Sequence, residues 1–352
     1  MIVKKWKVGL IGTGWWSDKH LQAWSRIEGV EITCLCNRSP SKLKKKAQQY
    51  NIAEENLFDN IDKMLEYGDF DILDIVTGPE THLEFVCKAS KYGKHIMCQK
   101  PFALSVEDAE IMVKNADENG VRLMVTENWR WLEPYQTIKK VLDDGTIGKL
   151  YTARYTHADY YTPRMSPETE LPQPFFRDMP KLLFYEMGTH WFDTWRFLFG
   201  TPKRLYAEFN TVSPYIKGED SGIVVLSYDD GFYGFMDMSW ATRHIISAPL
   251  DINVGPLNVE QLSIDGEEGT LKLYSDGRIT VINKNITEEI IIAEKTTLDH
   301  DESHFRLQSH FIDCLNTGKS FQTSGADNVV SLKMVFDTYE SAKNHIPVNM
   351  SK

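Results

Sequence analysis

The feature that most constrains the fold is an alternation of short apolar runs and amphipathic segments over the first third of the chain. The apolar runs indicate strands at 5–11, 31–36, 71–77, 95–99 and 121–127. Helical patterns begin between them, near Ser17, Ser41, Thr81 and Ser105. Short apolar strands separated by helices are typical of parallel strands joined by crossover helices. The sequence therefore predicts an α/β fold that begins with a doubly wound parallel sheet.

The pattern changes after residue 128, which divides the chain into an expected N-terminal domain, 1–128, and C-terminal domain, 129–352. Helical patterns at 134–142 and 182–199 flank a strand at 150–156 and an irregular aromatic stretch at 158–180. Short strands punctuated by turn sequences such as YDDGF and IDGEEGT follow from 203 to about 293. This meander predicts a large, mainly antiparallel open sheet. Helices at 302–316 and 325–343 complete the expected α+β domain.

The charge balance excludes one class of function. The 352-residue chain has a formal net charge of −11, whereas a protein that binds the nucleic-acid backbone needs a basic face. The five scattered cysteines do not suit a disulfide framework, and no apolar run reaches the length of a signal peptide or a membrane span. We therefore expect a cytoplasmic protein with no nucleic-acid or membrane partner.

A glycine-rich turn lies between the first strand and the first helix, in the sequence VGLIGTGWWSDKH. Gly12 permits a tight turn, Gly14 lets a pyrophosphate approach the backbone, and Ser17 is a small residue that can also cap the helix. An ordinary tight turn would explain the glycines equally simply. Their place in the first strand–helix unit favours a Rossmann dinucleotide site, in which we include Thr13, Trp15 and Trp16.

The end of the second strand bears on the choice between NAD and NADP. A carboxylate there would bond the ribose 2′-hydroxyl of NAD and repel a 2′-phosphate. The sequence instead reads CLCNRSPSK, with Asn37, Arg38, Ser39 and Lys42. Arg38 can pair with a phosphate, which favours NADP. The alternative is that Arg38 stacks on the adenine while Asn37 bonds the ribose, as NAD would require.

Lys100 follows the apolar strand HIMCQ and is itself followed by Pro101, which cannot continue a strand. Ligands of doubly wound sheets bind beyond the carboxyl ends of the strands, so Lys100 is expected where a nicotinamide would lie. A lysine facing solvent on a loop is the alternative. The neighbouring strand ends in TGPETH, which adds Thr77 and His82 to the expected cofactor site, although His82 also suits a structural role at a helix start.

The second candidate constellation is Glu186, His190 and Asp193, in the sequence LLFYEMGTHWFDTWRFLFG. Their spacing places them on one face of a single helix. A carboxylate one turn from a histidine can fix the tautomer of the ring and suit it to act as a general base. A surface ion pair and a metal site are the alternatives, and no further ligand cluster supports a metal.

Taken in order, these motifs resemble the glucose–fructose oxidoreductase / inositol dehydrogenase family (GFO/IDH/MocA) over nearly the full chain. The resemblance rests on the following sequences: GLIGTGWWS, TGPETH, CQKPFA, ENWRW, DDGTIGKL, FFRD with EMGTHWFDTWRFL, IDGEEGTLKL, and HFIDCLNTGKSFQTSGADNVVSL. It implies a catalytic lysine at Lys100, a catalytic histidine at His190, and oligomers formed through the C-terminal sheet. Two positions depart from the family pattern: Gln99 stands where glutamate is usual, and Glu186 where aspartate is usual.

We therefore expect an NAD(P)-dependent oxidoreductase that transfers a hydride between the nicotinamide and a secondary alcohol or ketone of a sugar, cyclic polyol or sugar derivative. Lys100, His190 and Glu186 are the expected catalytic residues, and Gln99 and Asn128 complete the expected cofactor contacts. The substrate side is expected to comprise Lys100, Arg130, Tyr160, Arg177, Glu186 and His190. The alternatives are a non-catalytic NAD(P)-binding regulator on the same fold, since a fold does not fix function, and a metal-dependent hydrolase that uses Glu186, His190 and Asp193.

Overall fold

A computed structural model of the chain describes residues 5–242, 259–285 and 288–350. The chain forms two compact units. Unit 1 comprises Met1–Leu132 and Asp299–Lys333, and unit 2 comprises Glu133–Leu298 and Met334–Lys352. The division is therefore not contiguous, because the segment from Asp299 to Lys333 packs with the N-terminal unit although it lies in the expected C-terminal domain. None of the described helices is long and apolar enough to cross a membrane.

The secondary structure alternates as the sequence predicts through the first part of the chain. The described helices are α1 Ser17–Arg26, α2 Pro40–Tyr50, α3 Ile61–Tyr67, α4 His82–Lys91, α5 Val106–Glu118, α6 Glu133–Asp143, α7 Leu183–Glu186, α8 Gly188–Phe199, α9 His300–Thr317 and α10 Gly325–Asn344. The described strands are β1 Trp6–Ile11, β2 Val30–Cys36, β3 Leu57–Phe58, β4 Ile72–Ile75, β5 His95–Cys98, β6 Leu123–Val125, β7 Leu150–Ala158, β8 Arg204–Asn210, β9 Ser221–Ser227, β10 Tyr233–Ser239, β11 Val259–Gly266, β12 Gly269–Leu273, β13 Ile279–Asn283, β14 Ile290–Ala293 and β15 Val348–Asn349.

Unit 1 contains a parallel sheet in which, over the described residues, six strands follow the order β3-β2-β1-β4-β5-β6. This strand order is that of the Rossmann fold, and it confirms the predicted doubly wound sheet. The short pair β3 and α3 is absent from the sequence-based prediction. Asn60 begins α3 by accepting a hydrogen bond from the Lys63 N–H at 3.0 Å, and Ser105 caps α5 in the same way through the Asp108 N–H at 3.0 Å.

The core of unit 1 is completed by the segment that returns to it late in the chain. Trp6, Trp24 and Met97 pack in one buried cluster with Leu307 and Phe311 of α9. Burying large apolar side chains of this kind is the main stabilising contribution to a folded unit. Helix α9 is therefore part of the N-terminal core, which explains why the compact unit does not end near residue 128.

Unit 2 is built on an open sheet that, among the described residues, has nine strands in the order β14-β13-β12-β11-β7-β10-β9-β8-β15. All neighbouring strands are antiparallel except β7 and β10. Strand β10 alternates buried residues, such as Met236, with exposed or half-buried ones, such as Tyr233 and Phe235. One face of the sheet is thus buried and the other remains accessible, which confirms the predicted open, mainly antiparallel sheet.

The segment 182–199 is not the single helix that its pattern predicts, because Met187 separates α7 from α8. Helical hydrogen bonds continue on both sides, from the Met187 N–H to the Leu183 carbonyl at 2.8 Å and from the Trp191 N–H to the Met187 carbonyl at 3.2 Å. Glu186 therefore ends one short helix, whereas His190 lies in the first turn of the next. The expectation that a single helix carries Glu186, His190 and Asp193 is wrong at this point.

Candidate dinucleotide and catalytic site

The turn after β1 requires glycine at one position and leaves open space at another. Gly12 has a φ of +98°, and a Cβ added to it would lie 2.2 Å from the Val76 carbonyl oxygen. At Gly14, by contrast, no heavy atom described beyond its chain neighbours lies within 4 Å of the position of an added Cβ. Ser17 is the first residue of α1 rather than its cap, and its hydroxyl donates to the Gly14 carbonyl at 2.6 Å. The turn thus approaches β4 closely at Gly12 and is open at Gly14.

A pocket of about 360 Å³ opens at this turn. Its lining residues are Gly12, Thr13, Gly14, Asn37, Arg38, Ser39 and Lys42, none of which carries a carboxylate. The Asn37 amide donates to the Thr13 hydroxyl and its Oδ1 accepts from the Ser39 N–H at 3.3 Å, which ties the end of β2 to the glycine turn. The position of the turn just before the N-terminus of α1 and the two cations of the lining, Arg38 and Lys42, suit phosphate. The open space at Gly14 and this donor set fit a dinucleotide.

The two tryptophans of the turn differ in their surroundings. The Trp15 residue is 71% exposed, whereas Trp16 is half-buried and packs on His300 and His304, with ring centroids 6.1 and 5.6 Å away. Neither lines the pocket at the turn. Trp16 therefore helps to anchor the start of α1 to α9, and the contact of either ring with a cofactor stays a prediction.

His82 is fully buried and connects the loops that follow β4 and β5. Its Nε2 lies 3.0 Å from the Thr77 carbonyl oxygen, and its Nδ1 lies 3.0 Å from the Phe102 carbonyl oxygen. Burial lowers the pKa of His82, so the neutral ring donates to one of these carbonyls at a time. Thr77 also bonds the Thr81 hydroxyl at 2.6 Å. The geometry gives His82 a structural role in shaping the crevice edge.

Lys100 is half-buried and lies two residues beyond the end of β5, and its peptide bond to Pro101 is cis. The preceding residue, Gln99, is buried and points back into unit 1. Its Oε1 accepts a hydrogen bond from the Lys100 N–H at 2.7 Å, and its Nε2 lies 2.9 Å from Nε2 of His20. The Gln99 side chain is therefore engaged within unit 1, and its contact with the cofactor stays a prediction.

Two buried polar residues behind Gln99 are missing from the sequence-based site. His20 Nδ1 lies 2.9 Å from Asp74 Oδ2, and the Trp24 indole N–H donates to the same oxygen at 2.7 Å. Asp74 interrupts the apolar run of β4, and His20 interrupts the apolar face of α1. A charged residue inside an otherwise apolar strand was the available signal, because buried charges are rare unless they are paired.

Asn128 and Arg130 connect the end of the parallel sheet to the returning segment. Asn128 donates to the Ser303 hydroxyl at 2.8 Å, and both residues are buried. Arg130 donates to the Gln322 carbonyl at 3.0 Å and lies 3.3 Å from the Asp327 carboxylate. These contacts describe structural roles within unit 1, and contacts of either residue with a cofactor or substrate stay predictions.

In unit 2, His190 is buried in the first turn of α8, and Glu186 is half-buried at the end of α7. Tyr161 lies near this carboxylate. Burial raises the pKa of Tyr161, the charges of Asp159 and Glu186 raise it further, and Arg164 lowers it. The phenol therefore keeps its proton at neutral pH.

The remaining predicted substrate residues, Tyr160 and Arg177, serve the irregular stretch before α7. The Tyr160 N–H donates to Asp159 Oδ1 at 2.6 Å, and Tyr160 forms an isolated bridge with Ala241. The Arg177 guanidinium donates to three carbonyls of the loop 165–169, at 2.6 to 3.1 Å. These three hydrogen bonds favour a structural role in which Arg177 stabilises the loop. Its contact with substrate stays a prediction.

Two acidic residues that the sequence did not single out organise the start of α7. The Glu219 carboxylate accepts from the Phe184 N–H at 2.9 Å, the Leu182 N–H at 3.3 Å and the Tyr339 hydroxyl at 2.5 Å. The neighbouring Asp220 accepts from the Thr162 hydroxyl at 2.6 Å and from the N–H groups of residues 212 and 213, in the loop after β8. The buried pair therefore fixes the main chain just before Glu186 and His190, through Glu219, and the loop at Thr162, through Asp220. A local pattern gives no signal for such contacts.

Within the ranges 5–242, 259–285 and 288–350, no group of three or more His, Cys, Asp or Glu side chains is arranged to hold a metal ion. Over these residues, the structure therefore gives no support to the alternative of a metal-dependent hydrolase that uses Glu186, His190 and Asp193.

The Rossmann strand order and a phosphate-suited pocket at the glycine turn define a dinucleotide-binding protein. The chain belongs to the GFO/IDH/MocA family of oxidoreductases. Residues 6–127 match the model of the oxidoreductase family with an NAD-binding Rossmann fold, and residues 135–272 match the GFO/IDH/MocA C-terminal domain. The resemblance inferred from the motifs is thereby confirmed, and the cofactor is NAD or NADP.

Relatives of known name align along almost the whole chain. D-apiose dehydrogenase of Paraburkholderia graminis is 34% identical over 348 residues, which is 97% of this chain and 88% of the relative. D-apiose dehydrogenase of Rhizobium rhizogenes is 31% identical over 345 residues, 96% of this chain and 95% of the relative. A crystal structure of an oxidoreductase from Agrobacterium radiobacter in complex with NAD+, L-tartaric acid and magnesium has a TM-score of 0.88, 30% identity and 99% coverage of both chains.

Proposed function

We propose that the protein is an NAD(P)-dependent dehydrogenase acting on a secondary CH–OH group of a sugar, cyclic polyol or sugar derivative. The observation that carries the proposal is the pocket at the glycine turn, which lies in the same unit as a lysine just beyond β5. Family membership and the D-apiose dehydrogenases among the relatives support this class of substrate. They favour an enzyme over the alternative of a non-catalytic NAD(P)-binding regulator.

The residues of this chain divide the work of binding and proton transfer. A bound nicotinamide dinucleotide would supply the hydride acceptor or donor. Gly12, Gly14 and the start of α1 would hold its pyrophosphate, and Arg38 would lie near its ribose. Lys100, as an ammonium, orients the substrate hydroxyl and stabilises negative charge as it develops on that oxygen.

His190 is proposed as the general base that takes the hydroxyl proton during oxidation and returns it during reduction. Glu186 tunes the charge around this step, and its half-buried carboxylate and the protonated Tyr161 phenol provide an acceptor and a donor for other hydroxyls of a sugar. Asp193, which is fully buried in α8, is left with a structural role.

The test is a panel of substrates followed by a matched pair of lysine variants. D-apiose, inositols, aldoses and sugar acids are each supplied with NAD and with NADP, and nicotinamide absorbance is recorded. With the best pair, Lys100→Met is expected to lower kcat about 100- to 1,000-fold, as the loss of one electrostatic stabiliser does. The affinity for the cofactor is expected to stay nearly the same.

Lys91→Met is the matched control, because Lys91 is an exposed lysine at the end of α4 in the same unit. It is expected to retain the activity of the parent protein. Turnover in Lys100→Met equal to that of Lys91→Met would refute the catalytic assignment of Lys100. The absence of turnover with every substrate pair, together with tight NAD(P) binding, would favour the regulator.

We further propose that the protein is cytoplasmic and forms a homodimer or homotetramer through the C-terminal sheet. The accessible face of that sheet pairs Phe235 with Val225 and Asp237 with Ile223, and it continues to Tyr233, which is half exposed. Apolar side chains on an accessible sheet face suit burial against a second copy. Light scattering is expected to give a multiple of the chain mass, and Phe235→Lys is expected to reduce it.

A further inference from the structure

A chain of buried hydrogen bonds connects the interior of unit 1 to the main chain at Lys100. The Asp74 and His20 side chains have no exposed surface, and Gln99 is 7% exposed. The chain runs from Asp74 Oδ2 to His20 Nδ1 at 2.9 Å, from His20 Nε2 to Gln99 Nε2 at 2.9 Å, and from Gln99 Oε1 to the Lys100 N–H at 2.7 Å. Each of its members lies on a different element, in α1, in β4 and at the end of β5.

The donors and acceptors of this chain allow one arrangement of protons. The Lys100 N–H is a donor, so the Gln99 atom facing it is the carbonyl oxygen, and the atom facing His20 is the NH2 group. His20 Nε2 must therefore accept. An ionised Asp74 only accepts, so His20 Nδ1 must donate to it. His20 is thus a neutral ring with its proton on Nδ1, and every bond in the chain is satisfied.

We propose that Asp74, His20 and Gln99 are positioning residues that fix the main chain at Lys100 and thereby hold its ammonium group in the orientation that catalysis needs. This inference rests on the proposed function, because it assigns a purpose to the position of Lys100. The physical reason is that a hydrogen-bonded backbone N–H next to the reactive residue restricts the direction in which the side chain leaves the strand end.

The surroundings of His20 are buried and supply further hydrogen bonds to this chain of side chains. The indole of Trp24 gives Asp74 a second donor at 2.7 Å. From α9, the His304 ring lies 5.1 Å from the His20 ring, and the Gln308 side chain donates to the His20 carbonyl at 3.3 Å. Burial lowers the pKa of His304 well below its usual range, and the charge of Lys19 acts in the same direction. Burial raises the pKa of the Cys98 thiol, and the charge of Asp74 raises it further. These neighbours are therefore uncharged beside the ring, apart from Asp74.

The identity of residue 99 determines whether this chain responds to pH. A glutamine serves as donor and acceptor without a change of protonation. A glutamate at position 99 would face His20 Nε2 with a carboxylate oxygen, so the ring would need a second proton to bond both Asp74 and the new carboxylate. As pH rises and that proton is lost, a lone pair would face a carboxylate, and the main chain at Lys100 would lose its support.

The decisive comparison is therefore Gln99→Glu against Gln308→Glu, measured as pH–rate profiles of kcat on the purified protein. Gln308 is a fully buried glutamine in the same unit, and it contacts the carbonyl of His20 rather than its ring. We expect Gln99→Glu to gain a fall in kcat toward alkaline pH that the parent protein lacks, and we expect Gln308→Glu not to show it. The same new limb in both variants, or in neither, would overturn the proposal.

A second variant removes the two side-chain hydrogen bonds of residue 99 without adding a charge. Gln99→Met keeps the length of the side chain but removes both hydrogen bonds, and a misplaced catalytic group is expected to lower kcat on the order of 100-fold while KM for the cofactor changes little. If kcat in Gln99→Met equals that of the parent protein while Lys100→Met is inactive, the positioning role is refuted and the catalytic role of Lys100 stands.

Nitrogen NMR of the histidine side chains separates the two proposals without using turnover. The His20 ring is expected to be neutral and protonated on Nδ1 in the parent protein, and to be protonated on both nitrogens in Gln99→Glu at the acid end of the range. A ring protonated on Nε2 in the parent protein would overturn the positioning role even if Lys100→Met were inactive. Turnover in Lys100→Met would instead refute the proposed function and leave the NMR result valid.

Discussion

At the scale of single residues, Gly12 and Gly14 show that two glycines of one turn can be required for different reasons. Gly12 combines a positive φ with a close approach to the Val76 carbonyl, so it serves the fold. Gly14 has open space around it, so it serves whatever binds there. The motif predicted a tight turn at Gly12 and an approach of the pyrophosphate at Gly14. It did not show that Gly12 approaches Val76, because Val76 follows β4 and lies far along the chain.

Alanine substitutions are expected to separate the two roles. Gly12→Ala should lower the melting temperature, because the positive φ alone costs about 1–2 kcal/mol and the contact with Val76 adds to this cost. Gly14→Ala should leave the melting temperature nearly unchanged and weaken cofactor binding, because the methyl group fills the open space. Thermal unfolding and titration calorimetry with NAD and NADP measure the two effects.

Gly93→Ala is the control for the cost of placing a side chain at a positive φ. Gly93 has a φ of +66° with open space around it and lies outside the pocket. It should be destabilised less than Gly12→Ala and should bind the cofactor normally. Normal binding in Gly14→Ala would contradict the assignment of the space above Gly14 to the pyrophosphate.

Arg38 and Lys42 make a second prediction at this scale, on the choice of cofactor. Both line the pocket, and no carboxylate lines it with them. If Arg38 pairs with a 2′-phosphate, Arg38→Ala should weaken NADP binding about 10- to 100-fold, the value of one charge-assisted hydrogen bond, and should change NAD binding much less.

Lys45→Ala is the matched control. Lys45 is an exposed cation on α2, the helix that also carries Lys42, and it does not line the pocket. Equal losses for NAD and NADP in Arg38→Ala would contradict the preference for NADP and would favour the alternative in which Arg38 stacks on the adenine.

At the scale of elements, the break between α7 and α8 shows where local patterns stop being informative. The apolar spacing of 182–199 predicts one helix, and the hydrogen bonds near Met187 are nearly helical. What fixes the start of α7 is Glu219, which lies 35 residues away from Phe184 along the chain. Gly218 allows this approach, because a Cβ on it would lie 2.8 Å from the Met179 carbonyl and from Leu182 Cβ. A sequence pattern reports only on residues that are close together within one helix or strand. The hydrogen bonds from α7 to Glu219 join segments that are far apart along the chain.

Glu219→Ala tests the role of this carboxylate in holding α7. Removing one buried acceptor leaves its donors unsatisfied, which should lower the free energy of unfolding by about 1–3 kcal/mol. Turnover should fall as well, because Glu186 ends α7 and His190 lies in the first turn of the next helix, α8. Tyr339→Phe, which removes one donor to the same carboxylate, should have a smaller effect on both quantities.

Glu340→Ala is the control, since Glu340 is exposed on α10. Chemical denaturation and steady-state kinetics give the two readouts. A loss of stability in Glu219→Ala with unchanged kcat would contradict the link between the start of α7 and the proposed catalytic residues.

The parallel sheet, its crossover helices and the glycine turn were predictable from the sequence because they follow from local periodicity and short motifs. The chain Asp74–His20–Gln99 was not, because its members are separated by 54 and 79 residues. A buried histidine and a buried aspartate look like isolated exceptions until the fold brings them together. The same reason hides the role of the Glu219 carboxylate, which lies 35 residues away from Phe184 along the chain.

At the scale of the whole molecule, three histidines of unit 1 predict a dependence of stability on pH. Burial lowers the pKa of His82, His304 and His310 below the usual 6.5. The folded state therefore binds fewer protons than the unfolded state when the pH falls below 6.5. Their contribution to stability is present above pH 6.5 and is lost as the pH decreases below it.

His304→Asn is expected to make the free energy of unfolding less sensitive to acid. Each proton taken up only by the unfolded state contributes about 1.4 kcal/mol per pH unit to the slope, and the variant removes one such proton. Urea denaturation at a series of pH values between neutral and mildly acid measures the slope. His345→Gln is the control, because His345 is 71% exposed. Equal slopes in the parent protein and in His304→Asn would contradict the prediction.

The return of the chain into unit 1 has a consequence for how the protein is made. A ribosome releases the chain from its N-terminus, so β1 to β6 emerge long before Phe311 and Phe321 of the core they share. Part of the apolar surface of the N-terminal sheet therefore remains exposed until residues 299–333 have been synthesised. Unit 2 up to Leu298 leaves the ribosome in the meantime. Synthesis of residues 299–333 therefore decides when unit 1 can finish folding, and a nascent chain arrested before Leu307 should remain dependent on chaperones.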